Sequence, residues 1–250
     1  MTQGPAGPWS ALLHPLSWVY GPLSARQIRR KQQRAVRVNV PVISVGNLAV
    51  GGAGKSPFVR LLVGWLQEAG HQPAIAMRGY GSANPNEADE VREHRLACPD
   101  VPVLAGPDRV FEIQNAQREG VPFDCVVLDD GFQHTQLARD LDVVLIDGTR
   151  PPVQTTTLPA GWLREPAIGL QRADAWVISG SMGEDDQAAT AQLAGQPALA
   201  EVRAVWQGVH TVQGEEVSVQ GKRCVVMAGI ARPERIREAL VEAGGIVAAL

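Results

Sequence analysis

The apolar positions of this chain alternate between two periods. Short β-rich runs recur at VPVISVG (residues 40–46), PAIAM (73–77), VPVLAG (101–106), FDCVVLDD (123–130), DVVLIDG (142–148) and ADAWVISG (173–180). Between them lie segments with helical spacing. One is KSPFVRLLVGWLQEAG, with Phe58, Leu61, Leu62, Trp65 and Leu66 on one side, and another is PDRVFEIQNAQREG. Strand and helix in regular succession predict βαβ units, hence an α/β fold with a mostly parallel sheet and flanking helices. In such sheets ligands gather beyond the carboxyl ends of the strands.

Residues 9–37, WSALLHPLSWVYGPLSARQIRRKQQRAVR, do not follow this pattern. Trp9, Leu12, Leu13, Leu16, Trp18, Val19, Tyr20 and Leu23 fill the first half, and six basic residues fill the second. Aromatic residues favour the headgroup level of a bilayer, and a Lys or Arg near an anionic surface contributes about 1 kcal/mol. The segment therefore reads as a membrane-surface arm. A helix packed on the domain with a solvated basic face explains the same composition. Pro15 and Pro22 are expected to break the helix into short pieces.

Charge sharpens the contrast between arm and body. The 250 residues carry a net charge of −3, but Met1 to Gln67 contains eight basic residues and no acidic one. That stretch has a charge of +8 and the remainder −11. The basic residues are not interleaved with stacking aromatics, and the body is acidic, so nucleic acid is not an expected partner. No obligate protein partner is evident either. Cys98, Cys125 and Cys224 are odd in number and widely spaced, which supports neither a disulfide framework nor a zinc site. No apolar run approaches the roughly 18 residues needed to span a bilayer.

The first strand leads through GGAGKS into a helix. Gly51, Gly52, Ala53 and Gly54 let backbone N–H groups converge on an anion, and Lys55 reaches the outer phosphates. Ser56 can ligate Mg²⁺, and Pro57 fits the first helical turn. The strict P-loop pattern has a glycine where this chain has Ala49. A P-loop kinase also needs a carboxylate at a neighbouring strand end. Asp129 and Asp130 stand at the end of FDCVVLDD and are followed by Gly-Phe-Gln-His; Asp147, at the end of another strand, competes for the role. His134 ranks below the acids, as a residue supporting the site.

Taken in order, VISVGNLAVGGAGKSP, RGYG (78–81), GPDR (106–109), LDDGFQH (128–134), ARDLDVVLIDG, LPAGWLREP (158–166) and MAGIARPERI resemble the tetraacyldisaccharide 4'-kinase family. The family is similar in lacking the glycine at the Ala49 position. The resemblance implies transfer of the ATP γ-phosphate to the 4'-hydroxyl of a lipid A disaccharide 1-phosphate, with Mg²⁺, at the cytoplasmic face of a bacterial inner membrane. It implies nucleotide contacts for Gly51 to Ser56 and Mg²⁺-linked roles for Ser56, Asp129, Asp130 and Glu165. Arg164 would offset phosphate charge. The family's Gly-Asp-Glu motif has its best match in Ala88-Asp89-Glu90, which makes Asp89 the candidate base; read from its neighbours alone, Asp89 is a solvated acid in NEADEVREH.

The expected organisation is an arm (1–37), a P-loop kinase domain (38–200), linking strands (201–221) and the start of a second α/β domain (222–250). A Pro-Asp-His-His segment that the family carries after the next strand does not occur in these 250 residues. The apolar strand GGIVAAL at the end is expected to lack ladder partners, as in a truncated domain. A P-loop enzyme with another substrate, or a catalytically silent nucleotide-binding protein at a membrane, are the alternatives.

Overall fold

The computed structural model describes residues 10–79, 84–228 and 233–249. Tyr80 and Gly81 of the RGYG motif and Gly229 to Arg232 lie outside them. The chain divides into two compact units, Met1–Val202 and Arg203–Leu250.

The first unit is a sheet of seven parallel strands with helices on both faces. Its strands are β1 (Val42–Gly46), β2 (Pro73–Met77), β3 (Val103–Ala105), β4 (Cys125–Asp129), β5 (Leu141–Asp147), β6 (Ala175–Ser179) and β7 (Ala200–Val202), in the order β3-β2-β4-β1-β5-β6-β7. All five residues of β4 are buried, as expected for a strand covered on both faces. Alternation sorts them. Val127 joins Val45, Val59, Val63, Ile75 and Leu145 in one core, and Val126 and Leu128 join Val42, Ala74, Ile113 and Leu137 in the other.

Helices α2 (Lys55–Glu68), α3 (Asp89–Ala97), α4 (Arg109–Arg118) and α5 (Glu184–Ala194) connect these strands. β1 lies between β4 and β5, with Val45 level with Asp129. The loop after β1 and the acids after β4 therefore emerge side by side at the carboxyl edge. Burial pushes the Cys125 thiol up, with help from Asp124, to about 12, which keeps it protonated at neutral pH.

The arm departs from expectation. Ser10–Gln32 is one helix, α1, with Pro15 and Pro22 inside it. A proline in a helix interior costs about 3 kcal/mol, so docking must offset it. Ser17, Gly21, Ser24 and Ile28 share one helical face, and tertiary bonds hold it. The Ser17 hydroxyl donates to the Thr157 carbonyl at 2.8 Å and accepts from Ala160 N–H at 3.0 Å. The Thr157 hydroxyl donates back to the Ser17 carbonyl at 3.0 Å, and the Thr135 hydroxyl donates to that of Ile28, also at 3.0 Å. Gly21 is buried on this face. Both prolines face solvent. The opposite face exposes Leu12, Leu16, Val19 and Leu23, with Trp18 74% exposed beside them. Among the described residues, no helix is long and apolar enough to cross a membrane.

In the second unit, β8 (Arg223–Val225) and β9 (Ile246–Ala249) pair in parallel through helix α6 (Glu234–Glu242). Val219, Val226 and Leu240 form its small core. The closing strand thus has a ladder partner after all: the βαβ connection returns it to β8. Of residues 201–221, read as linking strands, the first two complete β7, and the rest show one isolated bridge, His210 to Glu216.

Candidate active site

The phosphate loop is built by two positive-φ glycines. Gly51 has φ 109° and Gly54, at the N-terminus of α2, has φ 77°; both lie where a side chain would be strained. Ala49 needs no such freedom. It bridges Leu163 antiparallel, Val50 N–H donates to the Trp162 carbonyl, and Arg164 N–H donates to that of Leu48. The loop's entry is therefore extended backbone paired with the Leu-Arg-Glu-Pro segment, which explains both the missing glycine and the company these two motifs keep. Ala53 is buried and Lys55 and Ser56 occupy the first turn of α2. This combines converging N–H groups, a helix dipole and an ammonium.

Asp130 is the electrostatic centre. Its φ is 54°, the one positive value among described non-glycine residues, and this strain is offset by its partners. Arg164 Nη1 donates to both carboxylate oxygens, at 2.9 and 2.8 Å, and Lys55 Nζ lies 3.4 Å away. Burial opposes the charged form, but Lys55 and Arg164 outweigh it and hold the carboxyl below its ordinary range. Arg109 supports the turn from below, donating to the backbone carbonyls of Asp129 and Asp130 at 3.3 and 3.5 Å.

Asp129 has a partner the sequence reading missed. His94, on α3 and fully buried, places Nε2 2.9 Å from Asp129 Oδ2. A carboxylate can only accept, so Nε2–H is the donor. The same helix carries Glu90, one residue beyond Asp89. Burial raises the Glu90 carboxyl, and Asp129 and Asp130 raise it further, against Lys55 and His94. The electrostatic neighbours thus put Glu90 nearest the acid pair, although Glu90, like Asp89 at the head of α3, is exposed. The spacing of Glu90 and His94, one helical turn, was available in NEADEVREH; what was not legible is that this face meets β4.

Glu165, 1% exposed, accepts from both guanidinium arms of Arg172, at 2.6 and 3.0 Å, and from the Gln133 amide at 3.0 Å. Gln133 also donates to the Asn47 carbonyl, and Arg172 stacks over Phe132. Glu165 therefore ties the Gly-Phe-Gln-His turn to the strand-end loop. Asp147 instead caps its own turn through Thr149. His134 lies behind the site. Burial, with Arg109, Arg139 and Lys31, pushes it down to about 4.

The oxygen donors Ser56, Asp129 and Asp130 suit Mg²⁺, which is bound through one or two carboxylates together with phosphate oxygens. Among the described residues, no group of three His, Cys, Asp or Glu side chains forms a cage of its own.

With this geometry, the relatives are informative. Residues 9–249 match the tetraacyldisaccharide-1-P 4'-kinase family. The chain is similar to the tetraacyldisaccharide 4'-kinase of Gluconobacter oxydans, 36% identical over 93% of this chain and 70% of that protein. It is 35% identical to that of Nitrobacter winogradskyi over 98% of this chain and 73% of the relative. The crystal structure of LpxK from Aquifex aeolicus in complex with ATP superposes with a TM-score of 0.72 at 26% identity, covering 96% of this chain and 80% of that one. The chain belongs to the tetraacyldisaccharide-1-P 4'-kinase family and is a P-loop kinase of lipid A synthesis.

Proposed function

We propose that this chain uses ATP and Mg²⁺ to phosphorylate the 4'-hydroxyl of a tetraacyldisaccharide 1-phosphate at a membrane surface. The observation that carries the reading is the carboxylate pair after β4 facing Lys55 of the phosphate loop. Phosphoryl transfer is mostly positioning and charge neutralisation, and each residue has a part in that. The backbone of Gly51 to Ser56 cradles the phosphates, and Lys55 balances the outer ones. Ser56, Asp129 and Asp130 would hold Mg²⁺, which supplies charge neutralisation at the transferring phosphoryl group. His94 fixes the Asp129 carboxylate, and Arg164 and Lys55 fix that of Asp130. Arg164 also places positive charge beside the phosphate path. Glu165 supports the metal-linked loop through Gln133 and Arg172. Asp89 orients the acceptor hydroxyl and takes its proton, with Glu90 lining the cleft beside it.

The arm supports the surface reading. Its exposed row of Leu12, Leu16, Val19 and Leu23 is continued along the helix by Arg26 and Arg30, so one face offers apolar contact and then positive charge. Tyr20 bonds the Arg164 carbonyl at 3.0 Å, which links that face to the site. On this reading the chain sits peripherally on the cytoplasmic face of the inner membrane, where the acceptor is already embedded. The test is incubation with γ-labelled ATP, Mg²⁺ and acceptor in nonionic micelles. A labelled, lipid-extractable bisphosphate is expected, and ATP turnover indifferent to the acceptor would overturn the reading.

A further inference from the structure

The cations around the phosphate loop are not equally committed. Lys55 and Arg164 both rest on the Asp130 carboxylate, so part of their charge is already met. Arg150 is different. It follows β5 in a turn closed by its own N–H, which donates to the Asp147 carbonyl at 2.8 Å, and its half-buried guanidinium lies over the Trp162 ring, 4.3 Å from the centroid. Among the described residues its side chain has no ion pair and no hydrogen bond. Stacking on a ring fixes a guanidinium without neutralising it: one flat face is covered, and the N–H donors at the edge stay available in the plane.

Two observations put this cation at the phosphate loop. A Cβ built on Gly51 would be in ordinary contact with Arg150 Nη1, at 3.8 Å, so the guanidinium lies against the third residue of the loop 49–56. The ring that carries it is tied to the same loop. The Trp162 carbonyl accepts from Val50 N–H at 2.8 Å, and Trp162 N–H donates to Thr155 Oγ1 at 3.2 Å. Trp162 and Arg164 flank the buried Leu163, whose backbone bridges Ala49 and Thr157, and alternate residues of extended backbone share a face. Arg150 is thus carried on the face from which Arg164 grips Asp130 beside Lys55.

We propose that Arg150 is a further catalytic residue, a guanidinium supplied by the chain itself to the terminal phosphoryl group of ATP, with Trp162 as its positioning residue. The proposal rests on the kinase reading above. In the transfer, the acceptor oxygen bonds the terminal phosphorus as the bond to the β–γ bridging oxygen breaks; ADP keeps that electron pair, and the hydroxyl proton passes to Asp89. A fixed, unneutralised guanidinium stabilises the charge on the moving group's oxygens. Lys55 approaches from the helix end of the loop and Arg150 from its entry, so the two cations have separate places.

The experiment measures equilibrium binding of ATP and ADP with Mg²⁺, by competition with a fluorescent ATP analogue, and acceptor phosphorylation alongside. It uses the full chain, Arg150→Gln, Arg150→Lys and Trp162→Leu. Arg150→Gln is expected to weaken ATP about tenfold and ADP less than about twofold, and to lower kcat about 100-fold with KM for the acceptor unchanged. Arg150→Lys keeps the charge but not the fork, so it should lie between. Trp162→Leu keeps the guanidinium and removes its support; its loss of ATP affinity should be smaller and in the same direction. Equal weakening of ATP and ADP by Arg150→Gln, or a lowered Tm with ATP binding and kcat retained, would overturn the proposal and leave the kinase reading in place. Selective loss of ATP binding in Arg150→Gln, with no phosphorylation of the disaccharide by the wild type, would reject the kinase reading and leave the phosphate contact standing.

Discussion

His94 Nε2 lies 2.9 Å from Asp129 Oδ2, and both side chains are buried at the carboxyl edge of the sheet. The bond spans two elements, a helix on one face and the strand end that faces the phosphate loop. It restrains the carboxylate through one of its two oxygens.

His94→Leu keeps an apolar volume and removes the donor. The Mg²⁺ concentration needed for half-maximal binding of a fluorescent ATP analogue should rise about 10- to 100-fold, the usual effect of losing a partner that orients a metal ligand. A merely structural histidine would lower Tm and leave that concentration in place. His94→Gln, which retains a donor, should recover part of the loss.

Asp130→Asn tests the charge centre. Asparagine tolerates the left-handed backbone that Asp130 adopts, so folding should survive. The rate of phosphoryl transfer should fall at least about 100-fold, in the range seen when one fixed electrostatic group is lost from a reacting site. Steady-state kinetics with circular dichroism on the same preparation separates the two effects. A variant that keeps most of its rate would remove Asp130 from the mechanism.

Arg172→Ala would strand Glu165, a buried carboxylate with two of its bonds broken. Breaking such a pair from one side costs about 3–5 kcal/mol. Thermal unfolding should shift down by about 10 °C for a unit of this size. Arg172→Lys should lie between, because a single ammonium cannot reproduce the fork.

His134 sets an acid limit on stability. Its folded value of about 4 lies below the ordinary 6.5, so the unfolded chain binds the extra proton first. Above pH 6.5 the group is neutral in both states and contributes nothing; as pH falls from there toward 4, stability is lost. Tm measured across that window should fall less steeply for His134→Gln than for the wild type. Parallel curves would contradict the assignment.

Much of the sheet could be read from composition along each run. The strand ending in Asp129 and Asp130 was legible because a parallel strand buried on both faces leaves an unbroken apolar run, and acids there can only mark its end. The same holds for Lys55 and Ser56 after the glycines. Two things were hidden. Pro15 and Pro22 obey a local rule, yet the tertiary bonds of Ser17, Thr157 and Thr135 override it. His94 sits among charged residues that read as a solvated helix, because its burial depends on which strand the helix packs against, a long-range fact. Tyr80 and Gly81, picked out by motif, lie outside the described residues.

The proposed reaction moves a phosphoryl group from ATP to one position on a lipid-linked sugar. The most direct measurement is phosphorus NMR of the product made by the full chain from ATP, Mg²⁺ and tetraacyldisaccharide 1-phosphate in nonionic micelles, with Lys55→Met as the control. A second phosphomonoester signal assigned to the 4' carbon is expected, absent with Lys55→Met. A product carrying only the original 1-phosphate while ATP is consumed, or one phosphorylated at another hydroxyl, would contradict it.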